Sequence, residues 1–201
     1  MKRRHSLAGL AIVAVFLLAF LVRQPLAAQA PAAWLDKAPV TWHRAGDPVP
    51  MAPRGTETRD ALAKRCGSTA LAESADGRAL SRAGWVPFLH LDRELARDDV
   101  TVLGGMAAAG PGCEAEVFNL FVFVGGAFAG TVSPVVMTRN HDGEVGAVRL
   151  TASDAMTAEF ARYQPGDAEC CPSSRVRMTY HVQRGRGDSA VLQPVEARQI
   201  R

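Results

Sequence analysis

Cys170-Cys171-Pro172 carries the most reactive chemistry in this chain. Two adjacent thiols can bridge to other cysteines, hold a soft metal or exchange electrons. Only two further cysteines exist, Cys66 and Cys113. No C-x-x-C and no paired-histidine spacing accompanies them, so no zinc-type site is spelled out. All four, Cys66, Cys113, Cys170 and Cys171, are therefore read as disulfide candidates. Four cysteines permit three pairings. A Cys170–Cys171 bond is the least favoured, because neighbouring Cα atoms lie about 3.8 Å apart while a relaxed disulfide spans roughly 4.4–6.8 Å. One of the pair is expected to reach Cys66 and the other Cys113, with the choice between the two arrangements open.

Other chemistry is sparse. His90 and Asp92 alternate, so on a strand they share a face and form a candidate pair, or a polar strand edge. His43, His141 and His181 are scattered. No G-x-S-x-G or other marked nucleophile occurs. Asn140-His141-Asp142-Gly143-Glu144 lacks the ladder of acidic ligands of a calcium loop and reads as a turn. Arg186-Gly187-Asp188 reads as a hairpin tip. Arg175, Arg177, Arg184 and Arg186 fall on or near one strand's polar face and are a candidate surface for an anionic partner, or a solvated face with edge-protecting charge. No catalytic residue, no metal site and no cofactor is assigned.

What these residues meet depends on compartment. Met1 to His5 is a basic cap, Leu7 to Val22 is an unbroken apolar run, and Leu26 to Ala30 is rich in small residues. That is the layout of a secretory signal. The run is also near the length that spans a bilayer, so an uncleaved anchor is the alternative. Export to the periplasm or the cell exterior is expected, and disulfides suit that setting. The net charge of +3 belongs to this segment: Lys2, Arg3, Arg4 and Arg23 face no acid there, and without them the remainder carries −1. A near-neutral domain gives no reason to expect nucleic acid as a partner. The expected partner is an unknown envelope component, with membrane contact only through residues 7–22 if they are retained.

Residues 1–30 are thus read as signal peptide or anchor. Residues 31–55, with prolines at 31, 39, 48, 50 and 53, are read as a linker in which Trp34 and Trp42 are the large apolar residues. Residues 56–201 are read as a single exported β-rich domain, long enough for a core. Thr56 or Thr58 caps a helix expected through about Ala72, weakened at Gly67. From Gly84 the period becomes two. Val100 to Gly105 is a strand. Val117 to Val124 is apolar at nearly every position, as a strand buried on both faces requires. Gly125-Gly126 is a hairpin turn, and Ala127 to Met137 returns with Pro134 marking an edge or bulge. Val145 to Leu150 continues the meander. Met156 to Tyr163 fits helix or strand. Val176, Met178, Tyr180 and Val182 alternate strictly with polar residues. A weaker strand ends the chain. Val117–Val124 and Val176–Val182 are expected to be internal strands of one mainly antiparallel sheet. The fold class is α+β, β-rich, a meander sheet with one or two short helices.

Three segments together resemble a known family. They are Gly84-Trp85-Val86-Pro87-Phe88; Phe118 to Phe123 with Gly126 to Thr131; and Phe160 to Ser174, whose R-Y…D…C-C-P-S pattern leads into the Val176–Val182 strand. The chain resembles the LppP/LprE-type lipoproteins over roughly residues 84–184. The resemblance implies a small exported protein, α+β or β-rich, of unassigned activity, and it brings no catalytic residues. It also implies that Met156–Tyr163 is a strand. The first cysteine is Cys66, so a lipid-modified cysteine beside the signal is not expected here.

The functional expectation is a non-enzymatic envelope or periplasmic binding or interaction module, stabilised by disulfides. The alternative is a secreted enzyme or a metal or redox protein using Cys170-Cys171 with His90 and Asp92.

Overall fold

The computed structural model describes residues 32–89, 95–187 and 189–200. They belong to one contact unit, Pro31–Arg201. The expected signal segment, His90, Asp92 and Asp188 lie outside the described residues.

Among the described residues three short α-helices precede the sheets: α1 (Arg59–Cys66), α2 (Thr69–Glu73) and α3 (Ala75–Arg82). Where one helix was expected over 58–72, the chain breaks and restarts. Thr58, Ser68 and Ser74 each sit in extended backbone and accept a hydrogen bond from the amide three residues on. Such side chains satisfy the first free N–H groups of a helix. Gly67 ends α1, and a Cβ there would stand 2.4 Å from the Ala63 carbonyl oxygen.

Ten strands follow, in two antiparallel sheets. The first contains β1 (Val86–Phe88), β2 (Leu95–Arg97), β3 (Val100–Ala109), β4 (Ala115–Val124), β5 (Ala127–Thr131) and β6 (Met137–Thr138). Its order is β1-β3-β4-β5, with β2 also on β3 and β6 on β4. The second is a meander of β7 (Val145–Ala152), β8 (Ala155–Arg162), β9 (Ser174–Arg184) and β10 (Ala190–Ile200). The class is the expected β-rich α+β one. Met156–Tyr163 lies in strand β8 except for its last residue.

The two strands expected to share a sheet do not. Residues 117–124 lie in β4 and residues 176–182 in β9, each internal to its own sheet. Pro134 falls in the segment that separates β5 from β6. It has no N–H to continue a ladder, so β5 stops before it; the chain rejoins the first sheet as β6 and starts the second only at β7. The apolar run of β4 now has a direct cause. Phe118, Leu120, Val122 and Val124 pack into the core shared with β8 and β9, while Phe121 and Phe123 pack with Leu80, Ala83 and Trp85. The final strand, expected to be weak, is as long as β9 and pairs along it from Ala190 to Ile200.

The proline-rich stretch read as a linker is laid onto the domain. Ala32 and Leu35 are buried. Trp34 meets Phe160 edge-on at 5.0 Å, and Trp42 meets Tyr180 at 6.3 Å. The indole N–H of Trp85 donates to the Pro50 carbonyl at 2.7 Å. Aromatic rings bury large areas, and two tryptophans are enough to hold a chain with little regular structure.

Candidate functional site

A groove of ≈ 810 Å³ opens between the helices and the near ends of both sheets. Its walls come from α2, β1, the start of β4 and the start of β7. Leu71, Phe88, Phe118 and Val145 supply apolar surface, and Glu114, Arg139 and Glu144 supply charge. The ring of Phe88 lies against β3 because residue 104 is glycine: a Cβ there would stand 2.6 Å from that ring. Phe88 in turn meets Phe118 edge-on at 5.9 Å. A smaller recess of ≈ 420 Å³ adjoins at Glu144, Val145 and Gly146 and is lined further by Glu159, Tyr163, Cys170, Pro172 and Arg175.

Glu144 joins the two spaces. Its carboxylate accepts from the Asn140 amide at 2.6 Å, and Asn140 has φ +57°. Burial pushes the Glu144 carboxyl above its ordinary range, against that hydrogen bond and the nearby charges of Arg139 and His141. Arg139 is also 4.0 Å from Glu114. The groove therefore combines an apolar lining with one cluster of charge around Arg139. Its sulfur atoms, from Cys66 and Cys113, are bonded to each other, and Ser68 caps α2. The described lining thus presents no paired nucleophile and base.

One cluster elsewhere has the residue types of a nucleophile, base and acid. His43 Nε2 is 2.9 Å from Thr131 Oγ1, and His43 Nδ1 is 3.8 Å from Asp47. Its hydrogen bonds run the wrong way for catalysis. The Thr131 hydroxyl donates to the Ser133 carbonyl at 2.7 Å and accepts from the Trp42 indole N–H at 3.1 Å. Its one hydrogen is committed, so His43 Nε2 must donate to it and cannot take its proton. Thr131 is also buried. The cluster fastens the 32–53 segment to β5.

The other sequence-marked residues disperse. His141 Nδ1 contacts the Arg139 carbonyl at 2.7 Å, and His181 is exposed on β9. Asp142 accepts from Arg162 and from the Tyr163 amide, so it holds a turn. Among the described residues no three His, Cys, Asp or Glu gather as for a metal ion. The four arginines do not share one face. Arg175 and Arg177 lie on the exposed side of β9, whereas Arg184 keeps the spacing of the inward Val176–Val182 set. Arg177 pairs with Glu159 at 2.7 Å, and Arg184 makes two 2.7 Å bonds to Asp99. Arg175 and Arg186 have no carboxylate partner among the described residues.

The expected cysteine pairing is overturned. Cys66 bonds Cys113, with Cα atoms 5.3 Å apart, and Cys170 is joined to Cys171. α1 ends where the β3–β4 turn passes, and Arg65 donates to the Gly110 and Ala109 carbonyls there. Those bonds bring Cys66 to Cys113, leaving Cys170 and Cys171 only each other.

Residues 97–185 match the LppP/LprE lipoprotein family. The resemblance read from the sequence holds over that span, which runs from β2 to the end of β9. It takes in Phe118, Arg139, Glu144 and the Cys170-Cys171 turn, but not the helices that form the facing wall of the groove. No curated protein and no solved structure gave a significant match. The LppP/LprE match supports an envelope protein of unassigned activity. Among the described residues no helix is long and apolar enough to cross a membrane.

Proposed function

We propose that this is an exported cell-envelope protein whose β-rich domain is a non-enzymatic binding module, and that the groove takes a ligand with an apolar stem and a polar end. One observation carries the reading: Leu71, Phe88, Phe118 and Val145 line one space together with the clustered charges of Arg139, Glu114 and Glu144. Pockets that are mainly apolar, with a few convergent polar groups, are the usual form of small-molecule sites. The LppP/LprE match agrees with the envelope setting, and residues 1–30 supply the export address. The partner is then an amphiphilic envelope component, held at the membrane side of the wall or in the space beyond it.

Ala70 is an exposed groove residue of α2, so Ala70→Trp fills the space without disturbing the core. A fluorescent long-chain fatty acid is titrated into the full-length protein and into this variant. The parent binds and the variant loses at least about tenfold in affinity, the equivalent of about 1.4 kcal/mol, with its melting temperature unchanged. Equal affinity in both would remove the groove as the site.

A further inference from the structure

We propose that Cys170 and Cys171 form a thiol–disulfide exchange site whose partner is a dithiol. The bond between them differs from Cys66–Cys113 in what it joins. Cys66–Cys113 ties α1 to the β3–β4 turn across a sequence separation of 47. Cys170–Cys171 spans a separation of 1 and joins no two elements. Cross-links stabilise mainly by closing loops in the unfolded chain, and this one closes none of consequence. Its oxidation state therefore bears on local reactivity.

Three features equip it for exchange. Both cysteines are exposed, and Cys170 lines the recess beside the groove. Arg175, a guanidinium without a carboxylate partner among the described residues, lines the same recess, and positive charge favours the thiolate that exchange requires. The peptide unit holds adjacent Cα atoms 3.8 Å apart, below the roughly 4.4–6.8 Å of a relaxed disulfide, which makes such a bond easier to reduce. The turn is meanwhile framed without the sulfurs. Asp167 accepts from the Gln164 and Ser173 amides at 2.8 and 2.9 Å, the Tyr163 hydroxyl donates to the Glu169 carbonyl at 2.6 Å, and the Cys171 amide donates to the Ala168 carbonyl at 2.9 Å. Both states of the pair fit the same turn.

In the step, one thiolate of the partner attacks Cys170 Sγ. A mixed disulfide forms, the Cys170–Cys171 bond breaks, and Cys171 leaves as a thiolate that takes up a proton. The partner's second thiol, losing its proton, attacks the mixed disulfide. Cys170 is released as a thiol and the partner becomes a disulfide. Two electrons and two protons pass from the partner dithiol to the protein, and the reverse sequence oxidises a dithiol.

The native full-length protein is treated with dithiothreitol, and separately with reduced thioredoxin, then alkylated and peptide-mapped while its melting curve is followed. Cys170 and Cys171 become alkylated at least about tenfold faster than Cys66 and Cys113, as expected for the more exposed and strained bond, and the fold persists. A much faster reaction with thioredoxin identifies a protein dithiol as the source; equal rates identify a small one. Thioredoxin whose resolving cysteine is replaced by serine, added reduced to the parent protein, stays attached to Cys170 as a mixed disulfide, because its single thiol can attack but cannot complete the exchange. Opening of Cys66–Cys113 first, opening of Cys170–Cys171 only on unfolding, or failure of the single-cysteine thioredoxin to be trapped on Cys170 would overturn the proposal.

Discussion

Tyr180 of β9 donates its phenolic hydrogen to the Val132 carbonyl oxygen just past β5, at 2.6 Å and fully buried. The bond crosses from one sheet to the other. Burial lifts the Tyr180 hydroxyl well above its ordinary titration range. Tyr180→Phe keeps the ring and leaves the Val132 oxygen without that donor. A buried acceptor left unpaired costs about 1–3 kcal/mol. Urea unfolding should show a lower midpoint by that amount with an unchanged slope. An unchanged midpoint would mean that the sheets are not locked together at this bond.

The same hydroxyl sets an alkaline limit. Its proton is held more tightly in the folded chain than in the unfolded one. Above about pH 10 the unfolded state therefore binds fewer protons, and stability falls as pH rises. Following tyrosinate absorbance and circular dichroism together should show one tyrosine ionising only as the fold is lost.

Phe121 is buried between Trp85, at 5.2 Å, and Phe128, at 6.3 Å. Phe121→Asp places a carboxylate where these rings offer no partner. An unpaired buried charge belongs to the changes that exceed about 4–5 kcal/mol. That is comparable with the whole stability of an ordinary domain, so the variant should lack a cooperative thermal transition. A parental melting curve would mean that Phe121 is not in the core.

Strands were legible because their signals are local. The alternation in Val176–Val182 and the nearly unbroken apolar run of Val117–Val124 declare one buried face and two. Such patterns do not say which partner covers each face, so β4 and β9 were assigned to one sheet although Phe121 packs under helices and Tyr180 points across to Val132. The linker reading failed to anticipate packing for a related reason. Prolines report that residues 31–55 form little regular structure, but not that Trp34 and Trp42 find Phe160 and Tyr180. The groove was invisible because its walls come from Leu71, Phe88, Phe118 and Val145, far apart in the chain. Glu144 carried the one usable hint, an acid beside a positive-φ turn.

The bond between Cys66 and Cys113 is expected to be the structural one. Closing a loop of this length typically stabilises by about 2–4 kcal/mol. Replacing both cysteines by serine should lower the unfolding free energy by that amount under oxidising conditions. The difference from the parent should vanish once the parent is reduced. Non-reducing peptide maps should return a 66–113 fragment, and a fragment linking Cys66 or Cys113 to residue 170 or 171 would contradict this connectivity.

His43 sets the acid side. Burial lowers its pKa below the ordinary 6.5, and the negative charge of Asp47 opposes that shift. Its Nε2 hydrogen is committed to Thr131, so an added proton must go to Nδ1, toward Asp47 at 3.8 Å. Phe128, edge-on to the ring at 5.2 Å, and Gly130, beside its Cδ2, offer no charge. With the folded pKa below the unfolded one, the unfolded chain binds more protons in the window between them. The His43 contribution is therefore fully present above about pH 6.5, declines as pH falls toward the folded pKa, and is constant below it. Burial also raises the Glu144 carboxyl above its ordinary range, so the informative quantity is a difference between proteins. His43→Gln keeps an N–H for Thr131 and cannot titrate. Urea midpoints measured from pH 7.5 to 4.5 should fall more steeply for the parent than for His43→Gln across that window, and parallel profiles would show that His43 does not couple protonation to folding.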